Sequence, residues 1–335
     1  MSSPTTPTMA GENKLTRKDF LSSVDPRWCP GCGCYAVLQK LTSIMPTMGI
    51  PRENFAVISG IGCSSRFPYY TNTYGFHTIH GRAPTVATGL KLANPDLSVW
   101  VMTGDGDALS IGGNHFIHLM RRNPDMKIIL FNNQIYGLTK GQASPTTRPG
   151  TKTKTTPAGV VDRQMAPLAM AIAAGATFAA RAHDSDGELL TEVLTAAAAH
   201  KGIAFIEVML NCVIFNDAAI DPITSKATRA ENSIRLRHGS PIVFGSENEK
   251  GLRLNNMSPE IAKISEAKDI LRHDIYAENT SLSFMLAQLS YPEMPTPFGI
   301  FRQVSAPVYE DNFKYSGEAD LEKLFKSGTS WVEKG

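Results

Sequence analysis

Between Phe55 and Cys212 the chain alternates short apolar runs with helix-length segments, and few architectures accommodate that rhythm. FAVISG (55–60), LSVWVMTG (97–104), MKIILFN (126–132) and GIAFIEVML (202–210) read as buried strands. Each is short, rich in β-branched or aromatic residues, and bounded by Gly, Asn or Cys. Between them lie helical segments from Arg82 to Ala93, Asn114 to Arg122, Pro167 to Ala174 and Glu188 to His200. Strands that alternate with helices imply a parallel sheet covered on both faces. The expected fold is therefore α/β, a doubly wound parallel sheet over residues 19–230.

The remaining segments are less regular. The stretch from Leu138 to Val161, rich in Thr, Lys, Gly and Pro, is too long for an ordinary connection and reads as a functional loop. Residues 1–18 form a polar arm without an apolar signal-peptide core, which points to a cytoplasmic protein. Residues 231–335 read as a C-terminal appendage that contacts a partner or packs on its own core. It holds one helical segment, Ile261 to Leu271, and a Pro-punctuated stretch from Tyr291 to Pro297. Composition narrows the function classes. Lys plus Arg is 33 and Asp plus Glu 31, a net charge of +2, so nucleic acid is not an expected partner. The Ala-rich run Gln164 to Ala180, interrupted by Pro167 and Gly175, falls short of the roughly 20 apolar residues a bilayer requires.

The chemistry concentrates at strand ends. Gly104-Asp105-Gly106-Asp107 closes one strand, and Asn132-Asn133 closes another, with Asn133 28 residues after Asp105. Carboxyl ends of neighbouring parallel strands share one rim, so Asp105 and Asn133 can face one ion. A carboxylate, an amide oxygen and a backbone carbonyl are hard ligands suited to Mg²⁺ carrying a phosphate group. Gly104 and Gly106 let the backbone approach an anion. The plain alternative is a Gly–Asp turn followed by an Asx-turn that binds nothing. Cysteines form the second constellation: Cys29 and Cys32 in C-P-G-C, Cys63 after one strand and Cys212 after another. Four thiolates converging there fit Zn²⁺ or an iron–sulfur cluster equally well. Five cysteines are too few for a disulfide scaffold.

The blocks WCPGCG (28–33), GIGCSSRFP (60–68), HGRAPTVATGLKLANP (80–95), GDGDALSIGGNHFIHLMRRN (104–123) and NNQIYGLTKGQASPTT (132–147) resemble the β subunit of 2-oxoacid:ferredoxin oxidoreductases. The G-D-G and Asn pair are similar to the thiamine diphosphate signature. The resemblance implies the thiamine diphosphate-binding fold, with Asp105, Asn133 and the Ile135 carbonyl on Mg²⁺. His80, Asp107, the Gly104–Gly106 turn and the backbone of Gly137, Leu138 and Thr139 would hold the cofactor, with Ser64 and Ser65 beside it. Cys29, Cys32, Cys63 and Cys212 would bind one 4Fe–4S cluster, leaving Cys34 as a small buried hydrophobe. The implied reaction is CoA-dependent oxidative decarboxylation of a 2-oxoacid with electrons passed to ferredoxin. It also implies an α subunit carrying the pyrimidine-binding and 2-oxoacid/CoA-binding domains, in an (αβ)₂ assembly. A non-redox decarboxylase or carboligase half with structural zinc is the alternative.

Arg66, three residues after Cys63, is a candidate catalytic cation together with His80, because a guanidinium pairs bidentately with carboxylates. A second cation favours a dicarboxylic substrate, 2-oxoglutarate over pyruvate. Lys140 is a further anion candidate. Lys152 and Lys154 read as solvated loop residues, and His77, His115 and His118 as surface or hydrogen-bonded residues rather than ligands.

Overall fold

The computed structural model describes residues 15–313 and 326–328. Residues 1–14 of the expected arm, and residues 314–325 and 329–335 of the appendage, lie outside the described residues. Eleven strands are described: β1 (Phe55–Ser59), β2 (Tyr74–His77), β3 (Ser98–Gly104), β4 (Met126–Asn132), β5 (Phe178–His183), β6 (Ala204–Met209), β7 (Ser233–Arg235), β8 (Val243–Phe244), β9 (Lys250–Asn255), β10 (Ser258–Lys263) and β11 (Thr296–Gln303). Eight of them form one sheet in the order β2-β1-β3-β4-β6-β5-β11-β7. From β2 to β5 all pairs are parallel. Only the β5–β11 junction is antiparallel.

The period-two geometry of a strand sorts each apolar run onto both faces. Val57, Trp100, Met102, Ile129, Phe131 and Ile206 point into one core, under the helices Cys34–Ile44 and Gly187–Ala199. Ile58, Val99, Val101, Ile128, Leu130 and Phe205 point into the other, under Ala83–Ala93, Gly113–Arg122, Pro167–Ala173 and Ser281–Gln288. Both faces are therefore dry, as expected for a doubly wound sheet. Helix ends are set locally. The Asp186 side chain accepts from Leu189 N at 2.9 Å to start one helix. Asn123 takes the left-handed conformation (φ 53°) that ends another.

The appendage departs from its sequence reading. Ile261–Leu271 is not a helix. Its first residues belong to β10, which pairs antiparallel with β9 and, with β8, makes a separate three-stranded sheet. The turn at Asn256 and Met257, both at positive φ, commits that segment to a hairpin. β11 then returns to the main sheet beside β5, and β7 closes its edge. No helix among the described residues is long and apolar enough to cross a membrane.

Candidate active site: an oxygen-lined pocket beside a thiol-lined cavity

The β3–β4 register sets Gly104 opposite Phe131, so Asp105 and Asn133 emerge one and two residues later on the same rim. Asp105 opens the short helix Asp105–Leu109 and is 3% exposed. Burial pushes its carboxyl up to about 6, against the pull of two donors on Oδ2, Ser144 Oγ at 2.6 Å and Thr146 Oγ1 at 2.5 Å. Asn133 makes an Asx-turn, its Oδ1 accepting from Ile135 N at 3.2 Å. The Tyr136 ring lies against Gly106. Its hydroxyl donates to Gly106 O at 3.1 Å, and a Cβ on Gly106 would fall 2.2 Å from the ring. Only glycine permits that contact.

Asp107 acts on its surroundings from within. Its carboxylate accepts from Gly81 N (2.7 Å), Ile61 N (3.1 Å) and Thr103 Oγ1 (2.7 Å), clamping three segments around the pocket. His80 Nδ1 lies 2.8 Å from the same carboxylate but without a directed hydrogen bond, while 39% of its side chain stays exposed at the pocket mouth. His80, Ser64, Asp105, Asn133, Ile135 and the Gly137–Thr139 backbone line one cavity of about 80 Å³, to which Gly104, Gly106 and Asp107 also contribute. Ser65 does not line it. Ser65 is fully buried, and its Oγ has no hydrogen-bond partner among the described residues.

A second cavity, of about 350 Å³, is lined by all five cysteines together with Arg66 and Lys140. Cys29 and Cys32 sit in the turn before helix Cys34–Ile44, where Cys32 N donates to Cys29 O at 3.0 Å. Gly33 lets that turn reach the sheet, since a Cβ there would lie 2.1 Å from Asp184 Oδ2 and 2.7 Å from Leu210 Cβ. Trp28 Nε1 donates to Cys63 O at 2.7 Å, tying the turn to the segment after β1. Beyond β6, Asn216 Nδ2 donates to Asn133 O at 3.0 Å and brings the Cys212 turn alongside. A Cβ on Gly137 would lie 3.5 Å from Cys212 Sγ and 3.6 Å from Cys63 Sγ. Burial, and then the neighbouring thiols, push Cys63 up to about 11. A hydrogen bond from Cys34 instead draws Cys32 down to about 7. No three His, Cys, Asp or Glu side chains among the described residues gather tightly enough for a single ion. Cys34 is buried in the core as expected, yet with Cys63, Asn133, Gly137 and Leu138 it forms the wall that both cavities share.

Arg66 lies on the thiol side of that wall, half-buried, and donates from Nη1 to Arg27 O at 3.2 Å. Lys152, Lys154 and His77 are exposed, and His115 and His118 are half-buried. Sequence reasoning missed the support beneath Asp105. Thr146 Oγ1 also contacts Asn132 Oδ1 (2.9 Å), Asn132 Nδ2 donates to Glu207 Oε1 (2.7 Å), and Glu207 pairs with Arg181 Nε (2.8 Å). Arg181 donates onward to the Ala287 and Pro297 carbonyls, so the appendage is wired to the pocket floor. A lone Glu inside the apolar GIAFIEVML run was the available signal.

Residues 60–208 match the thiamine pyrophosphate enzyme family, C-terminal TPP binding domain. The chain thus carries a domain of the thiamine diphosphate-binding enzyme type. Relatives narrow the class. The chain is 49% identical to 2-oxoglutarate oxidoreductase subunit KorB of Mycobacterium tuberculosis over 328 residues, 94% of this chain and 88% of that protein. It is 49% identical over 190 residues to 2-oxoacid:ferredoxin oxidoreductase 1, subunit beta, of Aeropyrum pernix, covering 57% of this chain and 60% of that one. Its fold matches the 2-oxoglutarate:ferredoxin oxidoreductase from Magnetococcus marinus, solved with 2-oxoglutarate, coenzyme A and succinyl-CoA bound. That match has a TM-score of 0.74 at 33% identity and covers 95% of this chain and 97% of that one. The chain belongs to the β subunits of the 2-oxoacid:ferredoxin oxidoreductases, a family whose name implies an α-subunit partner.

Proposed function

We propose that this chain is the subunit carrying thiamine diphosphate and one 4Fe–4S cluster in an enzyme that oxidatively decarboxylates 2-oxoglutarate to succinyl-CoA and CO₂. Electrons would leave singly through the cluster to ferredoxin. The observation that carries the reading is the shared wall, which sets an oxygen-lined pocket directly against a cavity lined by all five cysteines.

The donor sets fit the groups assigned to them. Asp105, Asn133 and the Ile135 carbonyl would hold Mg²⁺, and a divalent cation there offsets the burial that otherwise raises Asp105. Zinc with thiolate bonds of about 2.3 Å needs sulfurs about 3.8 Å apart. The cavity of about 350 Å³ that the thiols line has room for a cluster. The bound cofactor supplies the carbon nucleophile and electron sink for decarboxylation, and the cluster accepts single electrons. His80, positioned by Asp107, would hold or move a proton at the pocket mouth. Ser64 and the Gly137–Thr139 backbone would exclude water from the cofactor, with Ser65 buried beside Ser64 in sequence. Arg66 and Lys140 supply the positive charge on the thiol side. No carboxylate among the described residues pairs with Arg66, which leaves its guanidinium for the distal carboxylate of a dicarboxylic substrate.

A pocket of about 80 Å³ is far below the roughly 300 Å³ that encloses a small molecule. It admits a phosphate end, so the rest of the cofactor needs a second chain over it. The edge strand β2 beside His80 leaves Tyr74 and Phe76 exposed, with Ile79 just beyond, as a face for that α subunit in an (αβ)₂ assembly. The test is CoA-dependent reduction of a viologen dye by the anaerobically purified complex, with 2-oxoglutarate and pyruvate offered in parallel. The reading expects a brown protein containing iron and thiamine diphosphate, strong preference for 2-oxoglutarate, and loss of that preference in Arg66→Ala. Preference for pyruvate overturns the substrate. A colourless, iron-free, active complex overturns the redox mechanism and returns the cysteines to zinc.

A further inference from the structure

A third cavity lies away from both of these, between the end of β5 and the small antiparallel sheet. At about 840 Å³ it is the size of a ligand site. Its lining holds four cations, Lys226, Arg229, Arg235 and Arg237, against one carboxylate, Asp186. Arg235 is engaged by Asp186 (3.2 Å) and Glu192 (2.5 Å), yet its Nε is buried with no hydrogen-bond partner among the described residues. Lys226, Arg229 and Arg237 are exposed to the cleft, and none has a carboxylate in ion-pair contact among the described residues. The nearby carboxylates Glu231 and Glu249 are held by Lys250.

This concentration of charge is local, because the whole chain carries only +2. Like charges collected in one concavity repel, and they focus potential on a mobile anion. Guanidinium groups offer forked donors that match phosphate oxygens. The rest of the lining adds little open apolar surface, since Ile234, Phe244 and Phe298 are buried, and it includes Ser246 and Asn248. His183 adds a neutral ring, since burial pushes it down to about 4. A ligand matching this lining carries several negative charges close together, as phosphate groups do.

We propose that this cleft binds a ligand bearing at least two phosphate groups, held by Lys226, Arg229 and Arg237. Two sources share that chemistry, a free nucleoside diphosphate or triphosphate and the phosphorylated adenosine end of coenzyme A. The site does not depend on the catalytic reading above, and it is tested without turnover.

The experiment is calorimetric titration of the purified full-length chain in complex with its partner subunit, at low salt, with ADP, adenosine 3′,5′-bisphosphate and coenzyme A. The Arg229→Gln/Arg237→Gln variant and, separately, Lys226→Glu are titrated in parallel, with unliganded unfolding temperature as the folding control. Expected is saturable binding of at least one ligand that weakens at least about tenfold in the double variant and falls with added salt. Preference for ADP assigns a free nucleotide. Preference for the bisphosphate and coenzyme A assigns the coenzyme's end. Binding that is absent in the wild-type complex, or unchanged in folded variants, overturns the proposal. Hydrogen-exchange protection of residues 226–246 by the partner subunit, with none added by nucleotide, overturns it in favour of a protein contact.

Discussion

The oxygen-lined pocket and the thiol-lined cavity share a wall but are built by opposite means. Beneath Asp105 every step is a buried, directed contact, through Thr146, Asn132 and Glu207 to Arg181 and the carbonyls of the appendage. That floor is organised before any guest arrives. The cysteines come instead from one turn and two strand-end segments, tied by single bonds such as Trp28 to Cys63 O and Asn216 to Asn133 O. Burial, and then the neighbouring thiols, raise Cys63, so the thiols resist becoming thiolates together. A metal centre that binds thiolates converts that repulsion into affinity. One site is held by the fold, and the other needs its guest to hold it.

The sharpest way to break this contrast is to remove the guest alone. Cys212→Ser in the assembled enzyme is expected to lose iron and to lower dye reduction by more than about a hundredfold while thiamine diphosphate stays bound. Iron and cofactor content per chain are the readouts. If the cofactor is lost with the iron, the pocket is not independently organised. Next in size is the floor itself. Glu207→Leu leaves Arg181 charged, buried and unpaired, which is expected to cost about 3–5 kcal/mol by urea unfolding. Adding Arg181→Met should restore most of that stability without restoring cofactor affinity, because Asn132 still lacks its acceptor. A smaller loss follows from Thr146→Val, which removes one donor to Asp105 and is expected to weaken thiamine diphosphate binding about tenfold with iron content unchanged.

The same contrast explains what the sequence displays. Strands β1, β3, β4 and β6 are legible because apolar β-branched residues sit on both faces, and Asp105, Asn133 and the cysteines because strand ends converge. β5 is hidden, since FAARAH has Phe178 as its single β-former and its place depends on Arg181 meeting Glu207 across the β5–β6 register. β10 is misread as helix because its apolar spacing is ambiguous over so few residues, and only the turn at Asn256–Met257 decides it. Thr146 and Ser144 pass as loop polarity, although Thr146 is fully buried. The floor is long-range pairing, and no local pattern encodes it.

The smallest expected effect concerns the sheet both sites stand on. His183 and His200 are 5% and 7% exposed, and burial pushes each down to about 4. The ordinary value near 6.5 applies once the chain unfolds. Between those values the unfolded chain binds protons that the folded chain refuses, so stability is complete above about pH 6.5 and falls as pH drops toward 4. Each histidine contributes a slope of at most about 1.4 kcal/mol per pH unit in that window. His200, whose Nε2 lies 2.8 Å from Thr177 Oγ1, belongs to the frame rather than to either cavity. His200→Asn should therefore flatten urea-derived stability against pH to the same degree in wild type and in Cys212→Ser. A larger flattening in the cysteine variant would mean that the frame, too, relies on what the thiols hold.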